Sequence, residues 1–217
     1  MAPATPSGNA YFLLLVDDRS RYMWATLLPS KDRAAAAVME FQARAEAEAG
    51  CKLRAFRTDR GGEFTSKAFM EYCATDGVQR QLTAPYSPQQ NGVVERRNGM
   101  VVGTARSLLK AKGLPGWFWG EAVLTAVYLL NRAPTKSVEG MTPFEAWYGK
   151  KPAVHHLRTF GCLVYVRNMA PHLKKLEDRG VKMIFVGYER GSKAFRAYDP
   201  RTGRVHVTRD VIFNEGG

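Results

Sequence analysis

The chain reads as an α/β domain followed by a small, basic, β-rich module. Three observations predict this. Strand-like and helix-like segments alternate through the first 150 residues. After a Gly-Lys-Lys-Pro interruption at Gly149–Pro152, helical periodicity gives way to short β-rich runs with tight turns. The charge is also uneven: residues 1–150 hold 19 Lys+Arg and 14 Asp+Glu, while residues 151–217 hold 13 and 6. A division into residues 1–150 and 155–217 is therefore expected.

The elements follow in order. A polar lead, Met1–Ala10, precedes an apolar β-branched and aromatic run, Tyr11–Val16, which stops at Asp17-Asp18. A turn at Arg19–Arg21 then leads into a second strand, Tyr22–Leu28, predicting a hairpin. Asp32 is expected to cap an alanine-rich helix ending at Gly50, since a glycine accepts the left-handed conformation that closes a helix. A strand at Lys52–Thr58, a helix from Ser66 to Asp76-Gly77 and a strand at Val78–Thr83 come next, all around one mixed sheet. Ala84–Gly92 (APYSPQQNG) holds two prolines and an Asn-Gly and reads as a loop. Helices are expected at Val93–Lys112, Trp117–Asn131 and Thr142–Tyr148. The β-rich module should contain strands at Cys162–Arg167, Lys182–Tyr188, Ala194–Tyr198 and Arg204–Phe213, closing into a small barrel.

Composition narrows the function. The 217 residues carry a formal net charge of +12, with 45% hydrophobic and 24% charged residues, an ordinary globular balance with a strong basic excess. Such an excess suits a polyanion partner, with a merely basic surface as the plain alternative. Three distant cysteines without a C-x-x-C pair argue against a disulfide scaffold and for an intracellular protein. No apolar run is long enough for a membrane span, and no targeting segment is evident.

Against this basic background, two carboxylates occupy positions suited to chemistry. Asp59 ends a strand ahead of Gly61-Gly62, at the sheet edge where open α/β sheets bind ligands. Glu95 lies in the first turn of the Val93–Lys112 helix, with 35 residues between the two. That interval accommodates a helix, a strand and a loop that bring the two together, and paired carboxylates hold Mg²⁺ or Mn²⁺ for phosphoryl transfer. Taken singly, Asp59 has an ordinary role in capping a turn and Glu95 in complementing a helix dipole.

The flanking residues separate these readings. Thr58–Phe64 (TDRGGEF) and Pro85–Arg97 (PYSPQQNGVVERR) together resemble the integrase core of retroelements, most closely the copia-type retrotransposon integrases. Tyr11–Tyr22, Phe118–Arg132, Thr142–Gly149, His156–Cys162, Ile184–Tyr188 and Thr208–Phe213 resemble the same family in the same order. The resemblance implies a ribonuclease H-like core followed by an SH3-like β-barrel, and an activity that processes retroelement DNA ends and joins them to target DNA with Mg²⁺ or Mn²⁺. It also implies a homo-oligomeric complex and a nuclear site of action. By position, Asp59 and Glu95 are similar to the second and third acids of the family's D-D-E triad. The first acid would lie on a strand upstream of Met1, so the core is expected to lack its first, central strand and the chain to be inactive as written. A ribonuclease H-type RNA nuclease is a weaker reading. A noncatalytic nucleic-acid-binding or assembly module derived from an integrase is the main alternative.

Asp17 and Asp18 end a strand and would complete a count of three acids, but the resemblance places them off the triad; they remain only as a metal contact. For DNA, the expected phosphate contacts are Arg96, Arg97 and Arg106 on the Glu95 helix, with Gln89, Gln90 and Asn91 in the preceding loop. Asn98, Val102 and Arg106 share the Glu95 face, and Val94, Val101, Ala105 and Leu108 the apolar one. In the basic module, Lys174, Lys175, Arg179, Lys182, Arg190, Lys193, Arg196, Arg201 and Arg204 are candidates for nonspecific phosphate contact. Trp117, Phe118, Trp119, Trp147 and Tyr148 are expected to pack helices rather than stack bases. Gly99 and Gly103 interrupt the catalytic helix at a cost of about 1 kcal/mol each.

Overall fold

Strand β1 (Tyr11–Val16) pairs antiparallel with β2 (Met23–Leu28), Val16 lying opposite Met23. In this computed structural model, which describes residues 1–59, 61–82, 92–168 and 174–216, the connecting turn is tied by Asp17. Its Oδ2 accepts both the Ser20 N–H and the Ser20 hydroxyl at 2.7 Å. The run YFLLLV lacks polar alternation because β1 is covered on both faces. Phe12, Leu14 and Val16 pack on a cluster around Val101, Phe118 and Val123, while Leu13 and Leu15 pack on one around Val38, Phe69 and Cys73.

Helix α1 (Ala34–Ala49) supplies part of the second cluster. Asp32 does not cap it: a single 3-10 turn, Lys31–Arg33, intervenes, and Arg33 occupies the cap position. The helix does end as expected at Gly50, with φ 65° and its N–H on the Glu46 carbonyl. Strand β3 (Ala55–Thr58) then leads through two short helices, α2 (Gly62–Thr65) and α3 (Lys67–Thr75), to β4 (Gln79–Leu82), which lies parallel to β3. Ser66 caps α3 by accepting the Phe69 N–H.

The single mixed sheet does not form. Among the described residues, β1–β2 and β3–β4 are separate two-stranded sheets, so β1 and β3 each have one unpaired edge. A cavity of about 580 Å³ is lined by Phe12, Leu13, Leu14, Leu15 and Val16 and by Ala55, Phe56, Arg57, Thr58 and Asp59. Successive side chains of a strand point to opposite faces. A cavity touching every residue of β3 and all of β1 but Tyr11 therefore runs along their unpaired edges.

Helix α4 (Gly92–Ala111) packs through Arg97, Val101 and Ala105. Helix α5 (Trp119–Arg132), entered through a 3-10 turn at Gly116–Phe118, lies against both β2 and α4. Buried Asn131 fixes it by accepting the Met23 N–H at 2.9 Å and donating to the Met23 carbonyl at 2.8 Å. Gly120 permits the close approach, since a Cβ there would meet Leu27 and Thr5 side-chain atoms at 2.8 Å. Thr142 caps α6 (Pro143–Tyr148) by accepting the Glu145 N–H.

The remaining strands are β5 (Leu163–Arg167), β6 (Gly180–Tyr188), β7 (Phe195–Asp199), β8 (Arg204–Thr208) and β9 (Val211–Asn214). They form an antiparallel sheet in the order β8-β7-β6-β5-β9. The single strand expected over Arg204–Phe213 is two strands, parted at Arg209-Asp210, with β8 on β7 and β9 on β5. Because β8 and β9 hold opposite edges yet are joined by two residues, the sheet must curl towards closure.

This curled sheet does not stand apart from the α/β part. Phe160 and Val186 belong to the same apolar cluster as Met23, Val123 and Ala126. Polar contacts follow one stripe of α5. Glu121 pairs with Arg196, the Thr125 hydroxyl donates to the Val186 carbonyl at 3.2 Å, and the Tyr128 ring stacks on Tyr188 with centroids 4.3 Å apart. Among the described residues, no helix is long and apolar enough to cross a membrane.

Candidate metal and nucleic-acid site

Asp59 leaves β3 at its C-terminal end and Glu95 sits in the first turn of α4; both side chains are exposed. The Asp59 Oδ1 accepts the Gly61 N–H at 3.0 Å, which orients the carboxylate. A Cβ at Gly61 would lie 3.1 Å from that same oxygen and 2.9 Å from Glu63 Oε2, so the small residue lets the loop fold back on Asp59. Asp59 and Glu95 line one cavity, together with Gln81, Asn98 and Arg57. Arg57 is held on Gln81 Oε1 by its Nε and Nη2 at 3.3 and 3.0 Å, across the β3–β4 pair.

Two hard carboxylates with room for water and substrate oxygens suit Mg²⁺ or Mn²⁺, which bind through one or two carboxylates rather than a full protein cage. Among the described residues, no group of three His, Cys, Asp or Glu side chains is placed to hold a metal. Asp17 and Asp18 line the same cavity but serve the hairpin: Asp17 caps Ser20, and Asp18 pairs with Arg21 at 2.6 Å.

The cationic residues divide. Arg96 and Arg106 are exposed on α4. Arg97 is not a phosphate contact: it is 4% exposed, its Nη2 donates to Thr135 Oγ1 at 3.2 Å, and burial lowers its pKa, reinforced by Arg21 and Arg96. The i, i+4 series Arg97, Val101, Ala105 explains this, because it places the guanidinium on the packed face. Gln89, Gln90 and Asn91 lie outside the described residues. Lys174 and Lys175 are exposed. Arg196 is withdrawn from the DNA-facing set by ion pairs to Glu121 and Glu189, both at 2.8 Å, which hold its pKa well above the usual guanidinium value. Arg201 is similarly engaged with buried Asp199, and Arg190 with Glu48.

The sequence gives little warning of two cavity residues, Trp24 and Trp147, whose rings meet edge to face at 4.8 Å. Trp24 is 6% exposed, and its indole Nε1 has no hydrogen-bond partner among the described residues. The only signal for Trp24 is its place in the apolar run of β2.

Residues 1–88 match the integrase core domain family and residues 162–217 the retroviral polymerase SH3-like domain. An integrase-type core with an SH3-like module after it is the class that fold and site define. The chain belongs to the retroelement integrase family, in the lineage of copia-type Pol polyproteins. It is 40% identical over 208 residues to the Retrovirus-related Pol polyprotein from transposon TNT 1-94 of Nicotiana tabacum, a match covering 96% of this chain and 16% of that protein. To the corresponding polyprotein from transposon RE1 of Arabidopsis thaliana it is 31% identical over 205 residues, covering 94% and 14%. The chain thus spans only a small part of these curated relatives. In fold, it is similar to a chain of the simian T-cell lymphotropic virus intasome in complex with PP2A regulatory subunit B56 gamma, with a TM-score of 0.53 and 16% identity over 92% of this chain and 69% of that one.

Proposed function

We propose that this chain is the catalytic and DNA-holding part of an integrase that processes retroelement DNA ends and joins them to target DNA. The observation that carries the reading is that Asp59 and Glu95, from separate elements, line one cavity in a chain of the integrase family. They are the side chains we assign to holding Mg²⁺ or Mn²⁺. When bound, such a metal supplies activation of an attacking oxygen and stabilisation of a leaving one in phosphoryl transfer. The protein's own part is positional. The Gly61 N–H orients Asp59, α4 carries Glu95 on a packed helix, and exposed Arg96, Arg106, Lys174 and Lys175 hold DNA phosphates. Element ends and target as substrates, an oligomeric complex and action in the nucleus belong to the same proposal.

A second reading, a noncatalytic DNA-binding or assembly module, is favoured by one observation: no group of three His, Cys, Asp or Glu side chains is placed to hold a metal among the described residues. The two readings separate on one experiment. Residues 1–217 are assayed for Mg²⁺-dependent strand transfer alone and with an Asp-bearing strand fused upstream. Activity confined to the fused protein and lost in D59N and E95Q supports the integrase reading. A fused protein that binds DNA without strand transfer, or whose turnover ignores D59N, overturns it.

A further inference from the structure

The outer face of the curled sheet has a covered half and a bare half. Alternation sends Val164 and Val166 of β5, Val181 and Met183 of β6, and Val211 and Phe213 of β9 into the sheet's own core. The residues between them therefore point outward. On one half of that face Ile184, Tyr198 and Val205 pack on the α/β part. On the other half the register sets Lys182, Tyr165 and Ile212 in one row across β6, β5 and β9, and all three are exposed. Tyr165 is 41% and Ile212 73% exposed, an apolar pair where the solvent side of an antiparallel sheet is ordinarily polar. The next row holds Arg167 opposite Gly180. A Cβ at Gly180 would lie 3.5 Å from the Tyr165 Cβ and 3.8 Å from its Cδ1, so the glycine leaves that side of the tyrosine uncovered. Whereas Phe185, Phe195 and Phe213 pack on one another inside the sheet, Tyr165 pairs with no ring among the described residues. Neither Lys182 nor Arg167 has an ion-pair partner among those residues.

We infer that this face binds unpaired nucleotides of single-stranded DNA or RNA: a base lies on the Tyr165 ring beside Ile212, and Lys182 and Arg167 hold the neighbouring phosphates. An exposed aromatic ring accepts any base, because every base has a π-face, and cations beside it follow the backbone. Lys182 stands one strand from Tyr165, about 4.8 Å away, and Arg167 two residues along β5, about 6.8 Å away, so both reach the phosphates flanking one stacked base. A duplex keeps its base faces stacked inside and offers only edges in its grooves, so the ring discriminates against it. An acidic peptide would satisfy the two cations. The 13 Lys+Arg against 6 Asp+Glu of residues 151–217 instead favour a polyanion that continues beyond the row. The site uses neither Asp59 nor Glu95, so it stands or falls separately from the integrase reading.

The test uses residues 1–217 with fluorescently labelled oligo-dT and oligo-U of about twelve nucleotides and a duplex of the same length. Binding is read by anisotropy across a salt series, and the ratio of the dT and U affinities shows which nucleic acid the ring serves. The expected result is single-strand binding that weakens about tenfold in Y165A and is restored in Y165W, with duplex affinity changed less than about twofold. R167E/K182E should lower the single-strand salt slope by about one to two. Equal loss on duplex and single strands in Y165A overturns the proposal, since the face would then be a general phosphate contact. So does failure to bind either single strand, or single-strand binding unaltered in Y165A while a leucine-bearing acidic peptide binds through Tyr165. Photocrosslinking of iodouracil-substituted strands to the unsubstituted chain reads the same contact independently of how Y165A folds. An adduct at Tyr165 is expected, and adducts confined to other residues overturn the site.

Discussion

Arg196 of β7 grips Glu121 of α5 through two parallel hydrogen bonds, Nε to Oε2 at 2.9 Å and Nη2 to Oε1 at 2.8 Å, while its Nη1 reaches Glu189 at 2.8 Å. This bidentate pair, only partly open to solvent, fastens the curled sheet to the α/β part. Truncation in R196A strands Glu121 and should destabilise the protein by about 2–3 kcal/mol. Denaturant unfolding of R196A, E121A and the double variant measures the coupling; additive losses would show that the pair contributes no linkage.

Gly187 makes the same interface sensitive to one methyl group. It has φ 137°, and a Cβ would lie 2.5 Å from Thr125 Oγ1. We expect G187A to lower stability by about 1–3 kcal/mol through backbone strain and overpacking together, read as a lower unfolding midpoint. T125A should recover part of that loss in the double variant by removing the clashing oxygen. A G187A protein as stable as the parent would contradict the close approach.

His156 links the interface to pH. Its Nε2 lies 2.6 Å from the Tyr128 hydroxyl, and burial lowers its pKa below the ordinary 6.5, with Arg132, His155 and Arg158 acting in the same direction. The folded state therefore binds fewer protons than the unfolded chain between these two pKa values. This contribution to stability is fully present above about pH 6.5 and declines as pH falls towards the folded value, with a slope of up to about 1.4 kcal/mol per pH unit. Unfolding midpoints taken from pH 5 to 8 should show this decline, and H156Q should flatten it.

Helix α4 carries two glycines that packing does not require. A Cβ at Gly99 or Gly103 meets nothing within 4 Å, and neither residue has positive φ. G99A and G103A should each raise stability by about 0.5–1 kcal/mol. A destabilised variant by calorimetry would reveal a role for flexibility that static packing does not show.

For DNA binding, K174E/K175E should weaken affinity and reduce the salt slope by about one to two, as expected for lost phosphate contacts. R97M should leave that slope unchanged and alter unfolding instead, because the guanidinium is buried against Thr135. Filter binding across a salt series separates the two. A reduced slope for R97M would return Arg97 to the DNA-contacting set.

Much of the architecture was legible because its signals are local. Gly50 and Gly149 close helices in the left-handed conformation, Ser66 and Thr142 cap them, and the end of β3 at Thr58 leaves Asp59 at a strand terminus. Local reasoning failed where two adjacent candidates compete. Asp32 has the chemistry of a cap, but an intervening 3-10 turn moves the cap to Arg33. Arg209-Asp210 divides what read as one strand, because its halves pair with opposite edges of the sheet.

The sequence by itself determined the order of elements, the basic excess and the two carboxylates at strand and helix ends, since these depend on residue type and near-neighbour spacing. Tertiary structure alone decided that Arg97 is buried while Arg96 is exposed, and that Arg196 is bound to Glu121, 75 residues away. The physical reason is range: helix and turn preferences are set within a few residues, whereas strand pairing, burial of charge and ion pairing depend on which distant surfaces meet.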